Sequence, residues 1–189
     1  MTALLLALLA FVAPPTQASE LELAAQYAAS IGAQFEINNN VGIRVSIHQF
    51  GIPKTGATMR FAYVGPVISV TPDFWVSPQV GVMSGWMADG TDALLGSVWF
   101  GASHGSFSLF GEGDIYVATG NPTDVYSYLS ADWNHEAVNL GLQAEMVGVD
   151  PVFGPHLGGT KGALHVEGLI FLNPNFDTLA LRLSTTVSF

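Results

Sequence analysis

The groups with which this chain could do chemistry are its histidine, serine and acidic side chains, since it contains no cysteine. One spacing is distinctive: His104 and Ser106 flank a single glycine, and Glu112 lies further along the chain. A histidine next to a serine hydroxyl could act as its general base. Gly105 instead favours a plain chain reversal. We therefore expect a turn at this position and assign no catalytic residue.

The remaining histidines, His48, His135, His156 and His165, lack the spacing of a metal-binding motif. The pair His135-Glu136 lies in a polar segment that predicts a surface loop. No glycine-rich phosphate loop with a lysine is present in the sequence. We therefore predict no metal site and no other cofactor.

Charged residues at alternating positions predict a polar strand face. The residues concerned are Arg44, Arg60, Arg182, Glu112, Asp114, Glu145 and Glu167. If the opposite, apolar face meets lipid, these side chains line the lumen of a barrel, where each unpaired charge costs several kcal/mol. We expect a network of Arg–carboxylate pairs that fills the lumen. A small pore that favours cations is the alternative, because acidic residues predominate.

Apolar and polar residues alternate with a period of two along the segments that carry these side chains. From Asp177 to Phe189, one set of alternating residues is apolar, from Leu179 to Phe189, and the other is small or polar apart from Arg182. Side chains of a strand point alternately to its two faces, so this segment predicts a two-faced strand. The same alternation recurs along most of the chain. The alanine-rich residues 20–30 fit either a strand or a short helix.

This final segment resembles the C-terminal strand of Gram-negative outer-membrane β-barrel proteins. In that family, a terminal phenylalanine is part of the signal that the barrel-assembly machinery reads. The resemblance implies this role for Phe189, together with Val187 on the same face. It also implies an all-β fold, a closed antiparallel transmembrane β-barrel of up-and-down topology.

The composition agrees with a lipid-facing surface. Only 11% of the residues are charged although 49% are hydrophobic, whereas soluble domains average about 25% charged residues. The net charge of −10 argues against a nucleic-acid partner. Tryptophans and tyrosines near the predicted strand ends favour aromatic girdles; these are Trp75, Trp86, Trp133, Tyr27, Tyr63, Tyr126 and Tyr128.

The N-terminus predicts export. An apolar run from Ala3 to Ala13 precedes Pro14-Pro15 and a small-residue cleavage site after Ala18, although no Lys or Arg precedes the run. We assign residues 1–18 to a signal peptide and residues 19–189 to the barrel.

The alternation predicts eight to ten strands. Ten segments can be identified, and bacterial single-chain barrels have even numbers. The segment from Asp150 to Gly162 contains two prolines and four glycines, and this composition predicts the longest irregular connection of the chain. In a ten-stranded barrel it falls on the periplasmic side, where long loops are unusual. Either a strand is miscounted or this segment is partly strand.

We therefore expect a structural or porin-like protein of the bacterial outer membrane with a narrow polar lumen. Its partners would be outer-membrane lipid, lipopolysaccharide and the assembly machinery, and its oligomeric state stays open. One alternative is a lipid-modifying enzyme, since His104 and Ser106 resemble the His-x-Ser pair of lipid A deacylases. That family has its pair late in the chain, followed by Asn, and here Phe107 follows. A soluble periplasmic ligand-binding barrel is the other alternative.

Overall fold

The structure, a computed structural model, describes residues 22–52, 56–86, 91–118, 124–147, 150–173 and 178–189. The predicted signal peptide lies outside these ranges. No helix among the described residues has the length and apolar character needed to cross a membrane. The strands are β1 (Glu22–Asn38), β2 (Val41–Ile52), β3 (Ala57–Thr71), β4 (Phe74–Trp86), β5 (Thr91–His104), β6 (Phe107–Ala118), β7 (Asp124–His135), β8 (Val138–Val147), β9 (Asp150–Lys161), β10 (Leu164–Leu172) and β11 (Thr178–Ser188).

The eleven strands form a closed barrel in which each strand is a neighbour of the next along the chain. Sequential pairs are antiparallel, and the barrel closes where β1 pairs with β11 in parallel, for example Tyr27 with Leu183. An odd number of alternating strands makes this parallel closure necessary, because the first and last strands then run in the same direction.

The two ends of the barrel differ in their connections. At one end, which we call the turn end, two-residue turns join the strands at residues 39–40, 72–73, 105–106, 136–137 and 162–163. Gly105, Glu136 and Gly162 adopt positive φ in these turns, as tight strand reversals require. At the opposite end, the loop end, the connections between strands have two to five residues. β11 finishes at the turn end, and β1 starts at the loop end.

The predicted range of eight to ten strands was wrong, and so was the purely antiparallel closure. The missing strand is β9, which spans almost the whole segment expected to be irregular. Pairing of β9 with β10 is interrupted at Gly154-Pro155, between the pairs Leu169–His156 and Leu172–Phe153. Proline has no backbone N–H for the ladder, and this local irregularity accommodates it. Residues 22–30, for which a helix was the alternative, are part of β1.

The outer face of the barrel is apolar. Thirty large hydrophobic side chains of the described residues are exposed, among them Leu142 at 67%, Leu94 at 65% and Val80 at 64%. On the described strands, charged side chains of the outer face lie only toward the two ends, such as Arg60 and Asp92 at the loop end. The barrel is therefore apolar outside and largely polar inside.

Aromatic and aliphatic residues fill part of the interior. One buried cluster, nearer the loop end, includes Tyr63, Met83, Leu95, Trp99 and Tyr116. A second one contains Leu169, Phe171 and Ala180.

Three of the four expected girdle tyrosines, Tyr63, Tyr126 and Tyr128, face the interior and not the outer surface. Tyr63 is only 4% exposed, and Tyr126 and Tyr128 lie beside Asp114 and Glu112 in the β6–β7 register. Tyr27 is on the outer face, where it pairs with Leu183, and Trp133 is also on the outer face and 44% exposed.

Substitution of Gly101 tests the interior packing. A Cβ at Gly101 would overlap the indole of Trp75, so Gly101→Ala should lower the free energy of unfolding by about 1–3 kcal/mol, as overpacking usually does. Gly96→Ala is the matched control, because a Cβ there meets open space. Denaturant unfolding followed by tryptophan fluorescence measures both; equal stability of the two variants would contradict the packing.

Candidate functional site

A polar cavity of about 570 Å³ occupies the interior and reaches the turn end of the barrel. Its rim carries Asn134, Asn139, Thr160 and His165, which lie close to the two-residue turns. Its deeper wall includes Glu112, Glu167 and Arg182 together with Trp99 and Leu169. The cavity therefore offers water, or a small polar molecule, access to the charged groups of the interior.

Arg182 of β11 is the centre of one interior network. Its Nη2 donates to Glu145 Oε1 at 3.1 Å and its Nε to Gln26 Oε1 at 3.0 Å, while its Nη1 lies 2.8 Å from Glu145 Oε2. The guanidinium carbon lies 4.7 Å from the ring centroid of Phe50 and 4.4 Å from that of Phe171. The ion pair and the cation–π contacts therefore compensate the positive charge of the Arg182 guanidinium. The network joins β1, β2, β8, β10 and β11 across the interior.

Asp114 of β6 is the centre of a second network. The carboxylate is 1% exposed and accepts hydrogen bonds from Tyr63 at 2.8 Å, from Tyr116 at 3.2 Å and from Ser97. Tyr63 lies on β3, so this network links strands that are not neighbours. Glu112 is two residues away on the same face of β6. Hydroxyl donors therefore take the place of water around a buried carboxylate.

Arg44 and His48 of β2 form a third group, against the aromatic cluster. The guanidinium carbon of Arg44 lies 4.6 Å from the ring centroid of Trp75, and Nη2 donates to Gln34 at 3.0 Å. The imidazole of His48 packs edgewise on Trp99, with 5.6 Å between ring centroids. Its nitrogens contact Ser30 Oγ at 2.8 Å and Ser46 Oγ at 3.0 Å. Within the described part of the chain, the contacts of this group are to serine, amide and aromatic side chains.

His156 of β9 lies between two carboxylates, one from the adjacent strand β10 and one from β7, two strands away. Its Nε2 contacts Asp132 Oδ1 of β7 in a hydrogen bond and lies 3.6 Å from Glu167 Oε1 of β10. Asn139 Nδ2 donates to both carboxylates, at 3.2 Å each. On the other side of the ring, His156 Nδ1 lies 3.3 Å from Gln143 Oε1. Histidine and carboxylate ligand atoms thus converge at the edge of the cavity.

The structure places six of the seven predicted lumen residues on the inner face. These are Arg44, Arg182, Glu112, Asp114, Glu145 and Glu167. Two of them, Arg182 and Glu145, form the predicted type of Arg–carboxylate pair. Arg44 instead lies against aromatic rings.

The prediction that Arg60 lines the lumen was wrong. In the pairing register, Arg60 is opposite Gln49 and Ser84, on the same outer face as Val64. Arg60 alternates along β3 with Phe61 and Tyr63, and these two aromatic side chains belong to the interior cluster, so Arg60 lies on the opposite, outer face. A second cavity of about 560 Å³ near the loop end includes Arg60 and Asp92 in its wall.

The residues considered for catalysis are not brought together. His104 is in the exposed end of β5, 4.0 Å from Asp73, and its side chain is 96% exposed. Ser106 is in the adjacent turn, and Glu112 faces the cavity. The predicted assembly residues Val187 and Phe189 lie at the turn end, where Phe189 N donates to Gly32 O at 3.0 Å and its side chain is 75% exposed.

Sequence reasoning missed Asp132, Asn139, Gln143 and His156. The polar segment around His135-Glu136 was predicted to be a surface loop, whereas Ser130, Asp132 and Asn134 continue the inward alternation of β7. His156 was hidden by the prolines and glycines of β9. No local spacing could reveal the cluster, because its members come from different strands.

Comparison of the chain with protein-family models, with curated proteins and with solved structures found no match.

The ion pair between Arg182 and Glu145 should contribute strongly to stability. The single variants Arg182→Met and Glu145→Gln should each lower the free energy of unfolding by about 3–5 kcal/mol, because each leaves a buried charged group without its partner. The double variant should lose less than the sum of the two. A double-mutant cycle measured by denaturant unfolding checks this, and additive effects would show that the pair is not coupled.

Proposed function

We propose that this protein is an integral β-barrel of a bacterial outer membrane, with a mainly structural role and a lumen closed to free diffusion. The apolar outer face carries the proposal. Soluble monomers rarely expose continuous apolar patches larger than about 300–600 Å², whereas exposed aliphatic side chains here recur on every strand from β1 to β11. Lipid contact on this face removes the free-energy penalty that water would impose.

The dimensions and the two ends support the same proposal. The strands have 9 to 17 residues, and about 9–11 tilted residues cross a bilayer. At the turn end, the outer face carries exposed aromatic side chains suited to a membrane interface: Phe35, Phe107, Trp133 and Phe189. Closure through β1 and β11 leaves no unpaired sheet edge, which a hydrocarbon environment would not tolerate.

The interior contacts favour a closed lumen over a diffusion pore. Three of them cross between strands that are not neighbours: Arg182 to Glu145, Tyr63 to Asp114 and His48 to Trp99. The aromatic cluster fills the interior nearer the loop end. The cavity is then a blind vestibule, open at the turn end.

The orientation and partners follow from the same proposal. Short turns face the periplasm in bacterial barrels, so we assign the turn end to that side. Outer-membrane lipid and lipopolysaccharide would contact the apolar outer face. The assembly machinery would meet β11 and Phe189 at the turn end. The lipid-modifying alternative receives no support from geometry, since His104, Ser106 and Glu112 do not form one site.

Introducing a charge on the outer face tests the membrane proposal. Leu142→Arg, near the middle of β8, should destabilise the barrel in lipid by about 2–4 kcal/mol, while Leu142→Val is the matched apolar control. Folding into vesicles is followed on SDS gels by the difference in migration between unboiled and boiled samples. In a water-soluble barrel, Leu142→Arg would be tolerated and the chain would stay folded without detergent; that result would refute membrane insertion.

Conductance in planar bilayers tests the closed lumen. The wild-type protein should give no sustained ion current, because side chains cross its interior. The variant Tyr63→Ala with Trp99→Ala, which removes two rings of the aromatic cluster, should conduct, with cations favoured by the interior carboxylates. Steady wild-type current would instead support the porin-like alternative, and Glu145→Gln with Glu167→Gln should then reduce cation selectivity.

A further inference from the structure

We propose that Asp132, His156 and Glu167 bind a divalent transition-metal cation of the zinc class inside the barrel. One ligand atom from each of the three residues lies within 4.8 Å of the others. One imidazole nitrogen and two carboxylate oxygens are a set that zinc accepts. The inference concerns this site alone and holds whether or not the lumen conducts.

The hydrogen bonds of the imidazole orient it for metal binding. Gln143 is 4% exposed, and its Oε1 lies 3.3 Å from His156 Nδ1 and 3.1 Å from the hydroxyl of Tyr128. An Nδ1–H that donates to this oxygen leaves the Nε2 lone pair directed at the carboxylates. Metal-bound histidines usually donate their other ring N–H in this way, which fixes the tautomer and the ring orientation.

The charges around Nε2 call for a cation. Asp132 Oδ1 contacts Nε2, and Glu167 Oε1 lies 3.6 Å from it. A lone pair facing two carboxylates is repulsive unless a positive charge lies between them. A proton on Nε2 would supply part of that charge, and a divalent cation in its place would neutralise both carboxylates.

The residues around the proposed site hold its carboxylates in place, and the cavity gives a cation access to them. Asn139 Nδ2 donates to both carboxylates, holding them on the same side, and the buried Oδ1 of Asn139 has no hydrogen-bond partner among the described residues. Asp132, Asn139 and Glu167 also line the cavity that opens at the turn end. With three protein ligands, the remaining coordination positions would face this cavity and hold water or a small anionic ligand. His156 itself is buried, so the cation would enter from the cavity side.

Metal titration of the refolded mature chain tests the proposal. The exposed His104 and His135 are replaced by Gln so that they do not bind metal. This double variant is the background protein into which all further substitutions are introduced. Isothermal titration with Zn²⁺ should give one site per chain. Co²⁺ should give the visible absorption of a site with mixed nitrogen and oxygen ligands. Affinity should fall at acidic pH, because protons compete for Nε2.

Variants separate this site from adventitious binding. His156→Gln and Glu167→Gln should weaken binding by more than the roughly 10–100-fold typical of residues that only support a ligand. Gln143→Met, which removes the partner of Nδ1, should fall within that range. Glu136→Gln is the matched control, because this carboxylate is exposed at the rim of the same cavity.

Two results would overturn the proposal. One is a folded background protein, verified by heat-dependent gel migration, that binds neither Zn²⁺ nor Co²⁺; His156 would then be a protonated partner of the carboxylates. The other is binding that His156→Gln and Glu167→Gln leave unchanged. If a variant does not fold, stoichiometry and the Co²⁺ spectrum of the background protein still decide the matter.

Discussion

The pairing of β1 with β11 closes the barrel, and the arrangement of its two faces follows from that closure. It gives both edge strands hydrogen-bonding partners, so the sheet has an inside and an outside instead of two open edges. Eleven strands in alternating directions allow this closure only in parallel. Once the sheet is closed, the alternation along each strand sorts side chains into an apolar outer face and a mostly polar interior.

Closure also determines how interior charge is accommodated. Arg182 and Glu145 neutralise each other across the barrel, whereas Asp114 depends on three hydroxyl donors. Arg44 relies on aromatic rings and an amide oxygen. These are different solutions to one requirement, since a buried charge without partners is strongly unfavourable. Because the contacts connect strands that are not neighbours, they also fill the space that a pore would need.

The cluster around His156 differs from the other interior networks, because two acidic groups face a single basic group. Two carboxylates converge on one imidazole nitrogen, and Asn139 holds them there. The proposed cation site and the proposed structural barrel are compatible, because the cluster lines a vestibule and lies outside the aromatic cluster. A cation joining β7, β9 and β10 would add a further link between strands.

Ten of the eleven strands and most of their faces follow from local sequence, because a period of two is a property of consecutive residues. Ten strands and the inward position of residues such as Glu145 could be read from it. The count of eleven depends on tertiary pairing, since β9 contains prolines that obscure its strand pattern and is stabilised by hydrogen bonds to β8 and β10. Arg60 was misplaced because Phe61 and Tyr63 look lipid-facing until the interior cluster is known. The convergence of Asp132, His156 and Glu167 was likewise invisible, because strand register in the closed barrel brings them together across 35 positions of sequence.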